Sequence, residues 1–425
     1  MYLKGSNWRM TRKRSRRSNP FTVIFLVLLI AAMVYVNEVI VPNTEPLFIA
    51  TPTVTTSPES YISLAREQFE AGNLTAALEF YETAVLTDAT NPSVFLEMGR
   101  VQMFAGLYED ALDSAGNALL LSANNAQAHA LRGWALLNLG DILEAEAAIT
   151  ESLELDGNNA LAHAVYAEIL LETFEYEQAG EESRIALNLS RSIETLRARG
   201  IVLYNTGNYL EAIQELQAAL TINNNIADLH VLIGLNYYAL GDYDQAVNEY
   251  IRANALNPAD PLPDYLISRT YLIVGQYAKA IQFAEEAVED DPEDPVLHGN
   301  LGEARYQNFE YADAIPELKY AVDNIPLSPA TQTIRFYTIY GFSLLKTNQC
   351  ALAVPVFQTI LSGVPSDEVA VFNAGEGIRQ CQEQLGEIEV TQVPAEDTSL
   401  DDGESPDSGA TDAPEATEIP EDESP

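Results

Sequence analysis

The pattern of apolar and polar positions changes character three times along the chain. From Phe21 to Val41 the residues are almost continuously apolar, broken only by Thr22 and, near the far end, by Asn37 and Glu38. Roughly twenty-one residues at ~1.5 Å rise make ~31 Å, close to the ~30 Å hydrocarbon core of a bilayer. The run therefore predicts one transmembrane helix over 21–41. Residues 42–57, rich in Thr and Pro, read as an extended stalk. From Pro58 onward, small residues recur with a period of about thirty-four, the length of a helix-turn-helix repeat. Beyond Gly386 the chain is mostly Pro, Ser, Thr, Asp and Glu, a composition too poor in apolar area to fold, so 386–425 reads as a disordered acidic tail.

Each repeat is numbered from its first residue, the first running from Pro58 to Asn91. Position 20 is then alanine nine times: Ala77, Ala111, Ala145, Ala179, Ala212, Ala246, Ala280, Ala314 and Ala353. Position 8 is small throughout, from Ala65 and Gly99 to Gly302 and Gly341, and position 27 is alanine except at Ser152 and Ile360. Two antiparallel helices approach closely only where facing side chains are small, which places positions 8 and 20 opposite each other. Between them lies a turn, often with glycine (Gly72, Gly106, Gly140, Gly207, Gly241, Gly275), and an aromatic frequently follows two residues later, as at Tyr108 and Tyr277. Pro258, Pro292, Pro326 and Pro365 stop the second helix at position 32.

On these columns the chain resembles the tetratricopeptide repeat (TPR) family, over nine repeats spanning 58–367. The resemblance implies an all-α fold: a right-handed α-solenoid with a concave groove lined by the first helix of each pair. A helix over 368–385 would cap the last repeat, since a solenoid leaves its terminal apolar face open. Some repeats depart from the pattern. The fourth is one residue short and has Phe174 in place of the turn glycine, with Gly180 inside its second helix; the eighth and ninth have Phe309 and Asn348 at the turn. A short insertion, Pro329 to Thr333, precedes the ninth, and Pro316 and Pro355 fall early in second helices.

Charge narrows the function. The formal net charge is −41, basic residues crowd 1–20, and no Lys or Arg occurs in 386–425. Such a surface repels nucleic acid, and it serves either solubility or the attraction of basic partners. The basic start favours a cytoplasmic N-terminus, putting the repeats on the extracytoplasmic side of the cytoplasmic membrane in a single-pass topology. A retained anchor and a cleaved signal peptide are both compatible with that start. The length of the apolar run and the absence of a small-x-small cleavage site favour the anchor.

No catalytic, metal or cofactor constellation emerges. The four histidines, His129, His163, His230 and His298, all occupy position 4, a packing slot, and neither a His-Glu-x-x-His sequence nor a phosphate loop occurs. Cys350 begins the second helix of the ninth repeat and Cys381 lies late in the capping helix. Antiparallel packing would bring them together, either as a disulfide in an oxidising compartment or as two buried small residues.

In the family, first-helix positions 2, 5, 9, 12 and 13 face the groove. Here positions 9 and 12 supply Trp134, Leu137, Ile201, Tyr204, Leu235, Tyr238, Arg269 and Leu272, with Tyr306 further on. The lining is apolar and aromatic and lacks the lysines of a carboxylate clamp. It suits a peptide or protein held by apolar anchors, with Trp134 and Ile201 marking the middle repeats. The leading expectation is a membrane-anchored protein-binding scaffold. The alternatives are a secreted or surface-attached spacer that binds glycan, and a regulatory subunit of an envelope enzyme.

Overall fold

A computed structural model describes residues 19–35 and 57–386, and all regular structure among them is helical. The basic segment (save Asn19 and Pro20), the stalk (save Ser57) and the acidic tail (save Gly386) lie outside the described residues, as do residues 36–41 of the expected membrane span. The first helix, α1 (Pro20–Tyr35), has 16 residues, all solvent-exposed. At ~1.5 Å per residue it reaches ~24 Å, short of the ~30 Å bilayer core. No helix among the described residues is long and apolar enough to cross a membrane. The single-pass anchor over 21–41, and the membrane localisation built on it, are corrected accordingly.

The remaining helices fall into two compact units, Met1–Thr206 with Ala218–Asn225, and Gly207–Gln217 with Ile226–Pro425. In the first, α2 (Pro58–Glu70) pairs with α3 (Leu74–Thr87), α4 (Pro92–Phe104) with α5 (Tyr108–Leu121), α6 (Ala126–Asn138) with α7 (Ile142–Leu155), and α8 (Ala160–Glu172) with α9 (Tyr176–Leu189). Then come α10 (Ile193–Asn205) and α11 (Tyr209–Ile222), the latter divided between the units. In the second, α12 (Ala227–Ala239) pairs with α13 (Tyr243–Leu256), α14 (Pro261–Ile273) with α15 (Tyr277–Asp290), α16 (Pro295–Gln307) with α17 (Tyr311–Asn324), and α18 (Thr331–Lys346) with α19 (Cys350–Gly363). The last helix, α20 (Glu368–Leu385), packs on α19 and α18. Within each unit successive pairs stack, and first helices of neighbouring pairs touch one another. That is the packing of a helical repeat array.

Local chemistry explains the boundaries. Proline opens α2, α4, α14 and α16, where its missing N–H costs no helical hydrogen bond. Asn91, Asn125, Asn159, Asp260 and Asp294 cap first helices by accepting from backbone N–H groups in the first turn. The insertion before the ninth repeat is partly absorbed into helix, because α18 starts at Thr331.

The alanine column is fully buried, with Ala77, Ala145, Ala246 and Ala353 all at 0% exposure. The column at position 8 does more than face position 20. A Cβ on Gly234 would lie 2.4 Å from Cε1 of Tyr250, and one on Gly341 2.5 Å from Cε1 of Phe357, both bulky residues at position 24. In these repeats the small residue at 8 makes the hole that the knob at 24 fills.

Eight of the nine turns between paired helices close alike. The residue at position 15 donates to the carbonyl three before it and the next residue to the carbonyl five before it, as in Gly140 to Leu137 (3.1 Å) and Asp141 to Leu136 (2.9 Å). The geometry demands a left-handed residue, and the six turn glycines have φ of +75° to +86°. Phe174, Phe309 and Asn348 take the same conformation at φ 62°, 66° and 60°. Asparagine tolerates that region; for phenylalanine it costs about 1–2 kcal/mol.

Candidate functional site

The face formed by the first helices differs in character between the two units. In the first unit it is closed by its own side chains. Phe69, Phe104 and Trp134 form a ladder of rings, with centroids 5.9 Å and 5.5 Å apart. Arg100 lies over Phe69 and Phe104 and is ion-paired with Glu194 of α10. Arg197 covers the Trp134 ring at 5.7 Å and donates to both oxygens of Glu168 at 2.8 and 3.0 Å. Trp134 is left 2% exposed, its indole N–H without a hydrogen-bond partner. The segment after α11 completes the closure: Asn223 Nδ2 donates to the Phe69 carbonyl (2.7 Å) and Asn225 Nδ2 to the Ala71 carbonyl (2.8 Å).

A cavity of about 420 Å³ remains beside this contact, bordered by Arg66, Phe69, Tyr81, Glu97, Arg100 and Asn223. Glu97 takes hydrogen bonds from Arg66 Nε (2.7 Å) and from the Tyr81 hydroxyl (3.0 Å). The Glu97 hydrogen bond drives the Arg66 guanidinium further up, and burial together with the Glu97 charge pushes the Tyr81 phenol above its usual range. Both groups keep their protons at any physiological pH, and the cavity carries charges of both signs.

In the second unit the corresponding row is more open. Leu235, Tyr238, Arg269, Leu272 and Tyr306 are all half-buried. Tyr238 and Tyr306 lean edge-on against Tyr243 and Tyr311, at 5.6 Å and 5.3 Å between centroids. Burial, with a contribution from Tyr311, raises the Tyr306 phenol. Between the aromatics runs a chain of charges: Glu303, only 5% exposed at its side chain, binds Arg269 at 3.3 Å and Arg335 at 2.8 Å. The row continues into a cavity of about 490 Å³ between α18 and α20, lined by Thr331, Ile334, Arg335, Thr338, Val369 and Asn373 among others.

Comparison with known proteins fits this architecture. The sequence model described as "Tetratricopeptide repeat" matches at residues 96–160, 131–187, 231–295 and 265–329. The chain is a tetratricopeptide repeat protein. Similar solved structures include Pseudomonas aeruginosa PilF, 23% identical over 47% of this chain and 93% of that one, with a TM-score of 0.39. A TPR protein from Parabacteroides merdae is 17% identical over 58% of this chain and 98% of its own, also with a TM-score of 0.39. YrrB, described as a TPR protein with an unusual peptide-binding site, is 19% identical over 46% and 97%, with a TM-score of 0.33. The comparison with curated proteins finds no match.

The TPR histidines tie helix pairs together. His163, His230 and His298 each contact, through Nδ1, a glutamate 19 residues later: Glu182 (2.6 Å), Glu249 (2.7 Å) and Glu317 (2.7 Å). Nε2 of His163 and His298 contacts the Gly157 and Pro292 carbonyls, both at 3.1 Å, and His129 contacts the Ala123 carbonyl at 3.0 Å. Among the described residues, no group of three or more His, Cys, Asp and Glu is placed to hold a metal.

Of the residues named from the sequence, Leu235, Tyr238, Arg269, Leu272 and Tyr306 lie in the open row. Leu137, Ile201 and Tyr204 are half-buried in the first unit, and Trp134 is enclosed there. Cys350 and Cys381 are joined, with Cα atoms 5.3 Å apart. Sequence reasoning missed the cavity beside α20. Arg335 and Thr338 occupy positions 2 and 5, which the family places in the groove, so the signal was available.

Proposed function

We propose that this TPR scaffold holds an extended segment of another protein along the first-helix row of its second unit. Leu235, Tyr238, Leu272 and Tyr306 serve as apolar contacts, and the segment runs on into the cavity beside Arg335 and Asn373. The observation that supports this reading is the half-exposed aromatic and aliphatic row with its charges already paired within the row. A ligand there gains apolar burial without having to neutralise a bare buried charge. Trp134, enclosed by Phe104 and Arg197, offers no such contact.

The test uses the full chain as target for a displayed library of random peptides. Enriched peptides should be rich in apolar residues. They should lose about tenfold or more in affinity to a Tyr238→Ala, Leu272→Ala variant, as expected for removal of buried anchors. Circular dichroism controls for folding. If every enriched peptide binds the folded variant as tightly as wild type, the site is wrong.

A further inference from the structure

Six turn positions are glycine at positive φ, as the turn requires, and one is the tolerant Asn348. The other two are phenylalanine, and both occur in the same tripeptide: Phe174-Glu175-Tyr176 and Phe309-Glu310-Tyr311. Each phenylalanine sits in the left-handed region, strained for a bulky side chain, and each is 75% exposed. Their only ring contacts among the described residues are with the tyrosine two positions on, at 6.3 Å and 6.2 Å between centroids. A glycine would close either turn without strain and without an exposed ring. Local folding therefore gives no reason for phenylalanine, while contact with a partner does.

The surroundings specify that partner. Glu172, Glu175 and Glu177 flank Phe174, all exposed, and Glu310 and Asp313 flank Phe309. Neither 172–177 nor 308–313 contains a Lys or Arg. A ring standing among carboxylates is repelled by an anionic lipid surface or a nucleic acid. It suits an apolar socket rimmed by Lys and Arg on a folded protein.

We propose that the two Phe-Glu-Tyr turns are docking points for a protein that presents such a basic-rimmed apolar socket. Position 15 is not among the positions of the first-helix row, so the surface is distinct from the peptide site proposed above and fails or succeeds separately from it.

Photo-crosslinking in the cells that produce the chain tests this. A benzophenone-bearing phenylalanine analogue replaces Phe174 or Phe309 in the full chain, and the same analogue at Asn348 serves as the control at an equivalent turn position. The expected result is a discrete protein adduct from 174 or 309, not from 348. The cross-linked partner peptide should lie in an apolar pocket bordered by Lys or Arg. Phe174→Gly with Phe309→Gly should abolish co-purification of that partner, reducing recovery about tenfold or more. The Tyr238→Ala, Leu272→Ala variant should leave the adduct unchanged. Absence of any adduct beyond that at 348 would overturn the proposal, as would an adduct to lipid or to an acidic surface. So would undiminished recovery with the double glycine variant, which would make the phenylalanines mere partners of Tyr176 and Tyr311.

Discussion

Asp264 offers a quantitative test of how the repeat positions its buried polar groups. It stands at position 4 of its repeat, the slot that four other repeats fill with histidine, and is 2% exposed. Asn254 Nδ2 donates to its carboxylate at 2.7 Å. Burial pushes the Asp264 carboxyl up, the charges of Glu286 and Asp290 add to it, the Asn254 hydrogen bond opposes them, and the result is a pKa of about 6 against an ordinary 3.8. A raised acid pKa means the folded state holds the proton more tightly than the unfolded one. The ionised carboxylate therefore costs stability, increasingly from about pH 4 to about pH 6 and constantly above. Two pH units correspond to about 3 kcal/mol, an upper figure for the charge. Asp264→Asn keeps an oxygen to accept from Asn254 and removes the charge. It should stabilise the second unit at pH 7.5 by about 1–3 kcal/mol and lose that advantage towards pH 4. Thermal unfolding of both proteins from pH 4 to pH 8, with hydrogen exchange resolving α14 and α15, reads the difference. A gain independent of pH, or a loss at pH 7.5, would refute the reasoning.

Glu249 should behave with the opposite sign. Burial opposes its charge, but His230 and Arg252 together more than offset that and hold its carboxyl below the usual range. Its contribution is therefore present at neutral pH and lost as pH falls through the folded pKa. Glu249→Gln should cost about 1.5–3 kcal/mol at pH 7, shrinking in acid, by the same thermal assay. Gly72 combines φ +81° with a position where a Cβ would lie 1.9 Å from the Cβ of Asn225. Gly72→Ala should cost about 2 kcal/mol or more and speed amide exchange in both α2 and residues 223–225; exchange confined to α2 would count against the closure. The Cys350–Cys381 bridge closes a loop with a sequence separation of 31. On the chain-entropy account, Cys381→Ser should destabilise the α19–α20 end by about 4 kcal/mol, seen as early proteolysis near Gly386.

How much could be read in advance depended on the distance over which each constraint acts. The alanine column and turn glycines are steric demands within a single helix pair, met afresh every repeat, so composition at fixed positions exposed them. The phenylalanines at the turns were visible as departures, but their exposure was not. Trp134 shows the limit. It occupies a groove position of the repeat, yet Phe104 and Arg197 come from other repeats and enclose it. The apolar run at the N-terminus is a different case. Its length in sequence suggested a span, whereas the described helix, Pro20–Tyr35, is shorter than one.

The sequence by itself determined that this is a helical repeat chain, where each pair turns, and which residues pack within it. Those choices rest on contacts between residues close in sequence, where side-chain size alone decides what fits. Only the tertiary structure decided which face stays open. Small rotations between successive pairs accumulate, and in the first unit they bring Asn223 to Phe69 and Glu194 to Arg100. No periodic pattern encodes such a meeting, because each residue keeps an ordinary position within its own repeat. In the second unit Tyr238, Leu272 and Tyr306 stay only partly buried.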